Sequence, residues 1–157
     1  MISCKESAIK LITFKDRTEK EMHKKLSEKG YEQAEIEEVI EFLKEYGYVN
    51  DLRFAERFAE DAVKIRKWGR MRIKSELTAK GIEREIAESV TESLAFDGKE
   101  AVISELSRRF KNSDFSNQKE RMRIFSYFAR RGYSPNEIRG AMNSVCSFDD
   151  IIGDYED

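Results

Sequence analysis

Between Lys64 and Lys74 the chain carries Lys64, Arg66, Lys67, Arg70, Arg72 and Lys74, with Trp68 at the centre and no acidic residue among them. A solvated helix face usually alternates its charges, so a run of one sign calls for an anionic partner. Two further basic groups stand at expected helix ends: Arg108, Arg109 and Lys111, then Arg130 and Arg131 just before Gly132. Cations at a helix C-terminus also answer the helix dipole, which accounts for part of each group. Arg70, Lys74 and Leu77 are spaced by four and three, so two cations share a flank with an apolar anchor while Arg72 projects elsewhere. Trp68 reads first as a packing residue at a helix junction, with stacking on a base or an arginine as the alternative.

Catalytic chemistry finds no comparable cluster. The single histidine, His23, lies in the charged stretch KEMHKKL and reads as a solvent-facing helix residue without the partners that general-base work needs. Glu35, Glu37, Glu38 and Glu41 read as a solvated face pairing with lysines. The glycines stand singly rather than in a phosphate-binding loop. Cys4 and Cys146 have no metal-ligand spacing and are expected as free thiols of a reducing compartment. We therefore expect no enzyme activity, no cofactor and no metal.

The elements that position the basic run follow from periodicity. From Asp51 the apolar residues Phe54, Phe58, Ala62 and Ile65 recur at helical spacing and are expected to be buried on one face. A second helix opens near Gly69 and closes at Gly81. Gly30, Gly81 and Gly132 recur at one constant spacing, and aligning on them superposes TEKEMHKKLSEKGY, GRMRIKSELTAKGI and ERMRIFSYFARRGY. Each copy is a helix ending, with a left-handed glycine past the helix and an apolar residue folding back. This predicts Leu26 against Tyr31, Leu77 against Ile82 and Phe128 against Tyr133, with a fourth case of Leu43 against Tyr48 at Gly47. Helix starts are expected at Thr18, Asn117 and Ser134, each with a glutamate three residues on, and at Asp51 and Asp97. Phe125, Tyr127 and Phe128 cover more than one helix face and read mainly as core, with joining of units or contact with a partner as the alternative for part of that surface.

The composition fits thin, helical architecture: 157 residues, 38% of them charged, a single proline and a net charge of −2. Helices are expected near 5–15, 18–29, 32–46, 51–67, 70–80, 83–95, 98–111, 118–131 and 134–145. The fold class is all-α, with three tandem three-helix repeats in an elongated, curved array. The repeats span 1–48, 49–96 and 97–146, and 147–157 forms an acidic tail expected to be disordered. No apolar run reaches the roughly 20 residues that span a bilayer, and the N-terminus lacks the apolar core of a signal peptide, so we expect a cytoplasmic protein.

With these residues in place, the chain resembles the RecX regulatory family. GYVNDLRFAERFAEDAVKIRKWGRMRIKSELTAKGI is similar to the family signature, with Arg53, Phe54 and Ala55 at its start and Arg72, Ile73, Glu76, Leu77, Lys80, Gly81 and Ile82 at its end. RTEKEMHKKLSEKGY and FARRGYSPNEIRGAM are similar to the first and third units, so the likeness spans about residues 8 to 145. Arg70 stands where members commonly have proline, Asn50 replaces a frequent acidic residue, and the tail after Ser147 lies outside the shared pattern. The resemblance implies a non-enzymatic regulator that binds RecA–DNA filaments in their groove. It would restrain filament growth, ATP hydrolysis, strand exchange and cleavage of the SOS repressor, in the control of DNA repair and recombination. The candidate filament- or DNA-binding residues are Arg53, Arg57, Lys64, Arg66, Lys67, Arg70, Arg72, Lys74, Arg108, Arg109, Arg130 and Arg131. The expected partners are the RecA filament and, more weakly and with salt dependence, single- and double-stranded DNA. The protein is expected to be monomeric and free of membranes. The alternatives are a helix-turn-helix DNA-binding protein acting without RecA, and a purely structural helical adaptor.

Overall fold

The structure, a computed structural model, describes residues 2–146; the acidic tail expected from 147 onward lies outside the described residues. Among the described residues nine α-helices follow one another: α1 Cys4–Phe14, α2 Glu19–Glu28, α3 Gln33–Glu45, α4 Asp51–Asp61, α5 Arg70–Ala79, α6 Arg84–Glu92, α7 Gly98–Arg109, α8 Gln118–Arg130 and α9 Pro135–Cys146. A π-helical turn, Ala62–Arg66, prolongs α4. Among the described residues there is no strand, and no helix is long and apolar enough to cross a membrane.

The helix starts are set by short polar side chains accepting the first unpaired N–H groups. Thr18 accepts from Glu21 N at 3.1 Å and Asn117 from Glu120 N at 3.1 Å. Ser134 and Glu137 form a reciprocal box, with Glu137 N donating to Ser134 Oγ at 3.1 Å and Ser134 N to Glu137 Oε1 at 2.9 Å. Asp97 accepts from Lys99 N and Glu100 N. Asp51 departs from expectation. Its neighbour Asn50 caps α4, accepting from Arg53 N at 3.0 Å, while the Asp51 carboxylate accepts from Glu19 N at 2.9 Å and serves α2 instead. Burial there pushes the Asp51 carboxyl above its ordinary range, against the opposing hydrogen bond from Glu19 N.

The helix ends carry the repeated grammar. Gly30, Gly47, Gly81 and Gly132 have φ of +94°, +75°, +89° and +96°. Beyond each, the next N–H reaches back to the carbonyl of the residue paired with it in sequence: Tyr31 to Leu26, Tyr48 to Leu43, Ile82 to Leu77 and Tyr133 to Phe128. The apolar fold-back is present at Ile82 and Tyr133, both buried, whereas Tyr48 is 55% exposed and Val49, 3% exposed, takes its place in the core. A second correction concerns α4. Its buried stripe is Ala55, Ala59 and Ala62; Phe54 and Phe58 are half-buried and Ile65 is 75% exposed. The extra residue of the π turn rotates Ile65 off the stripe.

The described residues form two compact units: 2–60 with Lys74–Glu92, and Asp61–Ile73 with 93–146. The first has a core of Ala8, Met22, Leu26, Ile36, Ile40, Leu43 and Val49 from α1 to α3 and the turn after them. In this unit the start of α2 meets the end of α5, where Thr18 Oγ1 donates to Lys80 O at 2.7 Å. The second has a core of Val102, Leu106, Ile124, Phe128, Tyr133, Ile138, Ala141 and Met142 from α7 to α9.

Candidate nucleic-acid interface

Six residues of the second unit line one open groove of about 590 Å³: Arg66, Trp68, Arg72, Tyr127, Arg130 and Arg131. It is built on a joint between helix ends. Gly69 N donates to Arg131 O at 2.8 Å and Met71 N to Gly132 O at 3.1 Å, so unpaired N–H groups at the start of α5 satisfy carbonyls left over at the end of α8. The dipoles of the two helices meet head to tail there. Both glycines are needed for the approach. A Cβ on Gly69 would sit 2.5 Å from the carbonyl carbon of Gly132, and one on Gly132 would meet the backbone of Arg72. The partners Gly69 and Arg131 stand 62 residues apart, the same separation as Thr18 and Lys80 in the first unit. The sequence repeat is thus also a rule for which helix ends meet.

The segment leading into the joint is strained. The π turn ends at Lys67, the one non-glycine residue with positive φ (58°) among the described residues. A left-handed lysine costs about 1–2 kcal/mol. The surroundings hold it: Trp68 N donates to Ala62 O at 3.1 Å, and the Tyr133 hydroxyl donates to Lys67 O at 2.9 Å. Burial, with the nearby carboxylates of Glu105 and Glu137, pushes the Tyr133 hydroxyl up to about 12. It therefore remains a donor across the physiological range.

Trp68 is 7% exposed, so it packs, as read from its place at a helix junction. It also stacks on arginine: the Arg72 guanidinium lies 4.2 Å and that of Arg66 5.0 Å from its ring centroid. Across the groove Arg131 stands 4.5 Å from the Tyr127 ring and Arg109 5.4 Å. Two side chains lace the walls together. Arg131 Nη1 donates to Arg66 O at 3.0 Å, and Arg72 Nη1 to Arg130 O at 3.4 Å. The backbone beneath Arg66 and Arg130 is thereby fixed, and both of these side chains are exposed.

Other candidate cations have internal work. Arg70 Nη2 donates at 2.8 Å to the carbonyls of both Leu94 and Phe96, and its guanidinium covers the Phe96 ring at 4.3 Å. It ties the segment after α6 to the start of α5, in the position where the expected proline would have had no such reach. Lys74, in the first unit, pairs with Glu88 at 2.9 Å, and Arg108 folds onto the buried Glu105 at 3.0 Å. Lys64 and Lys67 are exposed. Arg53 and Arg57 lie on α4 in the first unit, Arg57 exposed and Arg53 half-buried with its Nε enclosed. Tyr127 packs in the core against Phe110 and Phe128 and also walls the groove, a double placement that the spread of Phe125, Tyr127 and Phe128 over more than one helix face allows.

Family models match the chain over most of its length. That described as "RecX, first three-helix domain" matches residues 4–43, the second three-helix domain 50–90 and the third 97–142. The Regulatory protein RecX of Vibrio parahaemolyticus is 34% identical over 142 residues, covering 90% of this chain and 91% of that protein. That of Clostridium tetani is 29% identical over 148 residues, covering 92% and 68% respectively. The crystal structure of RecX from Lactobacillus salivarius has the same fold, with a TM-score of 0.78 at 21% identity over 92% of this chain and 96% of that one.

Proposed function

Because the chain belongs to the RecX family, whose members are regulatory proteins and not enzymes, we propose that it binds RecA–DNA filaments and restrains them. Restraint would extend to filament growth, ATP hydrolysis, strand exchange and filament-stimulated cleavage of the SOS repressor. The observation that carries this reading is the arginine-walled groove at the α5–α8 joint. A regulator of a nucleoprotein polymer must meet phosphate, acidic protein surface or both, and a fixed cluster of guanidinium groups serves that need.

The contact residues in this proposal are Arg66, Lys67, Arg72, Arg109, Arg130 and Arg131, with Lys64 beside them in sequence. Arg70 ties α5 to the segment after α6, Lys74 pairs with Glu88 of α6, and Arg108 folds onto Glu105 of its own helix, so these three are left out of it. Arg53 and Arg57 remain candidates for a second contact on the other unit. The test is RecA ATPase activity on single-stranded DNA, measured with increasing amounts of the protein. A progressive fall in ATP turnover is the expected result. Turnover that stays constant at a molar excess of the protein would overturn the reading.

A further inference from the structure

We propose that Asp154, Glu156 and Asp157 of the acidic tail fold back into the groove walled by Arg66, Arg72, Arg130 and Arg131, so that the chain occupies its own groove until a stronger polyanion displaces it. The inference rests on the regulatory reading only for what the tail keeps out. The contact itself stands on charge and chain length.

Three observations lead to it. The groove gathers four guanidinium groups, and none of the six described residues lining it carries a carboxylate. Like charges held that close repel, and an anion that enters relieves the repulsion. Arg72 and Arg131 lie against aromatic rings and donate to the carbonyls of Arg130 and Arg66, so little side-chain freedom is left to lose on binding. A guanidinium fork held in this way takes both oxygens of a carboxylate together.

The second observation is composition. Residues 148–157 include Asp149, Asp150, Asp154, Glu156 and Asp157 and no lysine or arginine, so the stretch cannot neutralise itself. The third is reach. α9 begins at Pro135, just past the Gly132 carbonyl at the joint, and its 12 residues rise about 18 Å to Cys146. An extended chain spans at most about 3.3–3.6 Å per residue. Asp149 and Asp150 thus extend no more than about 14 Å from Cys146, short of the length of α9, whereas Asp154 can reach about 26 Å and Asp157 about 36 Å. The three outer carboxylates are therefore the ones placed to meet the arginines.

The short tether favours this occupant over an outside one. It holds the carboxylates at an effective concentration of about 1 mM however dilute the protein is. A contact as weak as about 0.1 mM then leaves the groove open about a tenth of the time, and lowers the apparent affinity for any outside anion about ten-fold.

The experiment is a double-mutant cycle on the full chain, read by fluorescence anisotropy of a short labelled oligothymidylate at low salt. The tail variant Asp154→Asn/Glu156→Gln/Asp157→Asn should bind this probe about ten-fold more tightly than wild type. In the background of Arg66→Ala/Arg130→Ala, two exposed side chains, the same tail changes should alter affinity by less than about two-fold. The inner pair Asp149→Asn/Asp150→Asn should also stay within about two-fold, because those carboxylates fall short of the groove.

Equal affinity of wild type and the tail variant would overturn the inference. So would the same tightening in the groove background or from the inner pair, which would make the tail a diffuse charge and not an occupant. Absence of binding by the tail variant would overturn it too, since arginines able to hold carboxylates also hold phosphates. Sedimentation should give monomers throughout; wild-type dimers that the tail variant lacks would place the tail in a second copy and overturn the intrachain contact. The RecA ATPase assay keeps the two readings apart. Coupling of tail and groove with unaltered RecA turnover would sink the regulatory reading alone. Equal inhibition of RecA by wild type and the tail variant, with no coupling, would sink the tail contact alone.

Discussion

Replacing the repeat-closing glycines one at a time by alanine separates the energetics of a helix ending from those of a helix joint. Gly30 and Gly132 have nearly the same φ, +94° and +96°, so alanine meets the same backbone penalty at both, about 1–2 kcal/mol. Their surroundings differ. A Cβ at Gly30 has no atom within 4 Å, whereas one at Gly132 collides with the backbone nitrogen and Cβ of Arg72. Relief there requires α5 to move away from α8, lengthening the bonds from Gly69 N and Met71 N. Overpacking of that kind adds about 1–3 kcal/mol, and the two weakened hydrogen bonds add about 1 kcal/mol each. Gly81 is intermediate, since its Cβ would meet Lys20 from Cβ to Cδ, of which only the outer carbons can swing away, and no backbone atom is among its nearest contacts. Urea unfolding followed by far-ultraviolet circular dichroism should rank the losses Gly30→Ala, Gly81→Ala, Gly132→Ala, from about 1 to at least about 3 kcal/mol. Gly69→Ala, with an ordinary φ but a Cβ 2.5 Å from Gly132 C and O, should lose stability through the collision alone. Equal losses at Gly30 and Gly132 would refute the claim that glycine at 132 is there for the joint.

Three other outcomes follow from the same contacts. Arg70→Ala removes two charge-assisted bonds to the carbonyls of Leu94 and Phe96 and should cost about 2–3 kcal/mol in urea unfolding, while oligonucleotide affinity measured on the folded protein stays within about two-fold. The Tyr133 hydroxyl titrates near 10 when unfolded and near 12 when folded, so its contribution is complete below pH 10 and is lost as pH rises toward 12. Tyr133→Phe should flatten that alkaline limb of the stability profile and cost about 1 kcal/mol at neutral pH through the bond to Lys67 O. Lys74 and Arg84 hold the Glu88 carboxyl below its ordinary range, so its contribution is present above pH 4.5 and is lost as pH falls through the lowered value. Lys74→Gln should shallow the acid limb of the same profile, and an unchanged acid limb would show the pair to be inert.

What the sequence determined by itself is everything closed within a few residues. The glycine endings, the caps at Thr18, Asn117 and Ser134 and the nine helices are made by bonds spanning three to five positions, so their signals stand side by side in the chain. The repeat was legible for the same reason. Where two adjacent residues can exchange roles, local reading failed: Asn50 rather than Asp51 caps α4, and Val49 rather than Tyr48 enters the core. Tertiary structure alone decided which cations face outward. Arg70 and Arg72 are two residues apart and chemically identical, yet one is bound to the carbonyls of Leu94 and Phe96 and the other lies on Trp68 beside Arg130. A long flexible side chain takes its direction from whatever acceptor or ring packing brings near, and here the carbonyl acceptors lie more than twenty and nearly sixty residues away. The left-handed turn at Lys67 was equally silent in sequence, because lysine has no preference for that conformation and only the bonds from Tyr133 and to Ala62 hold it there.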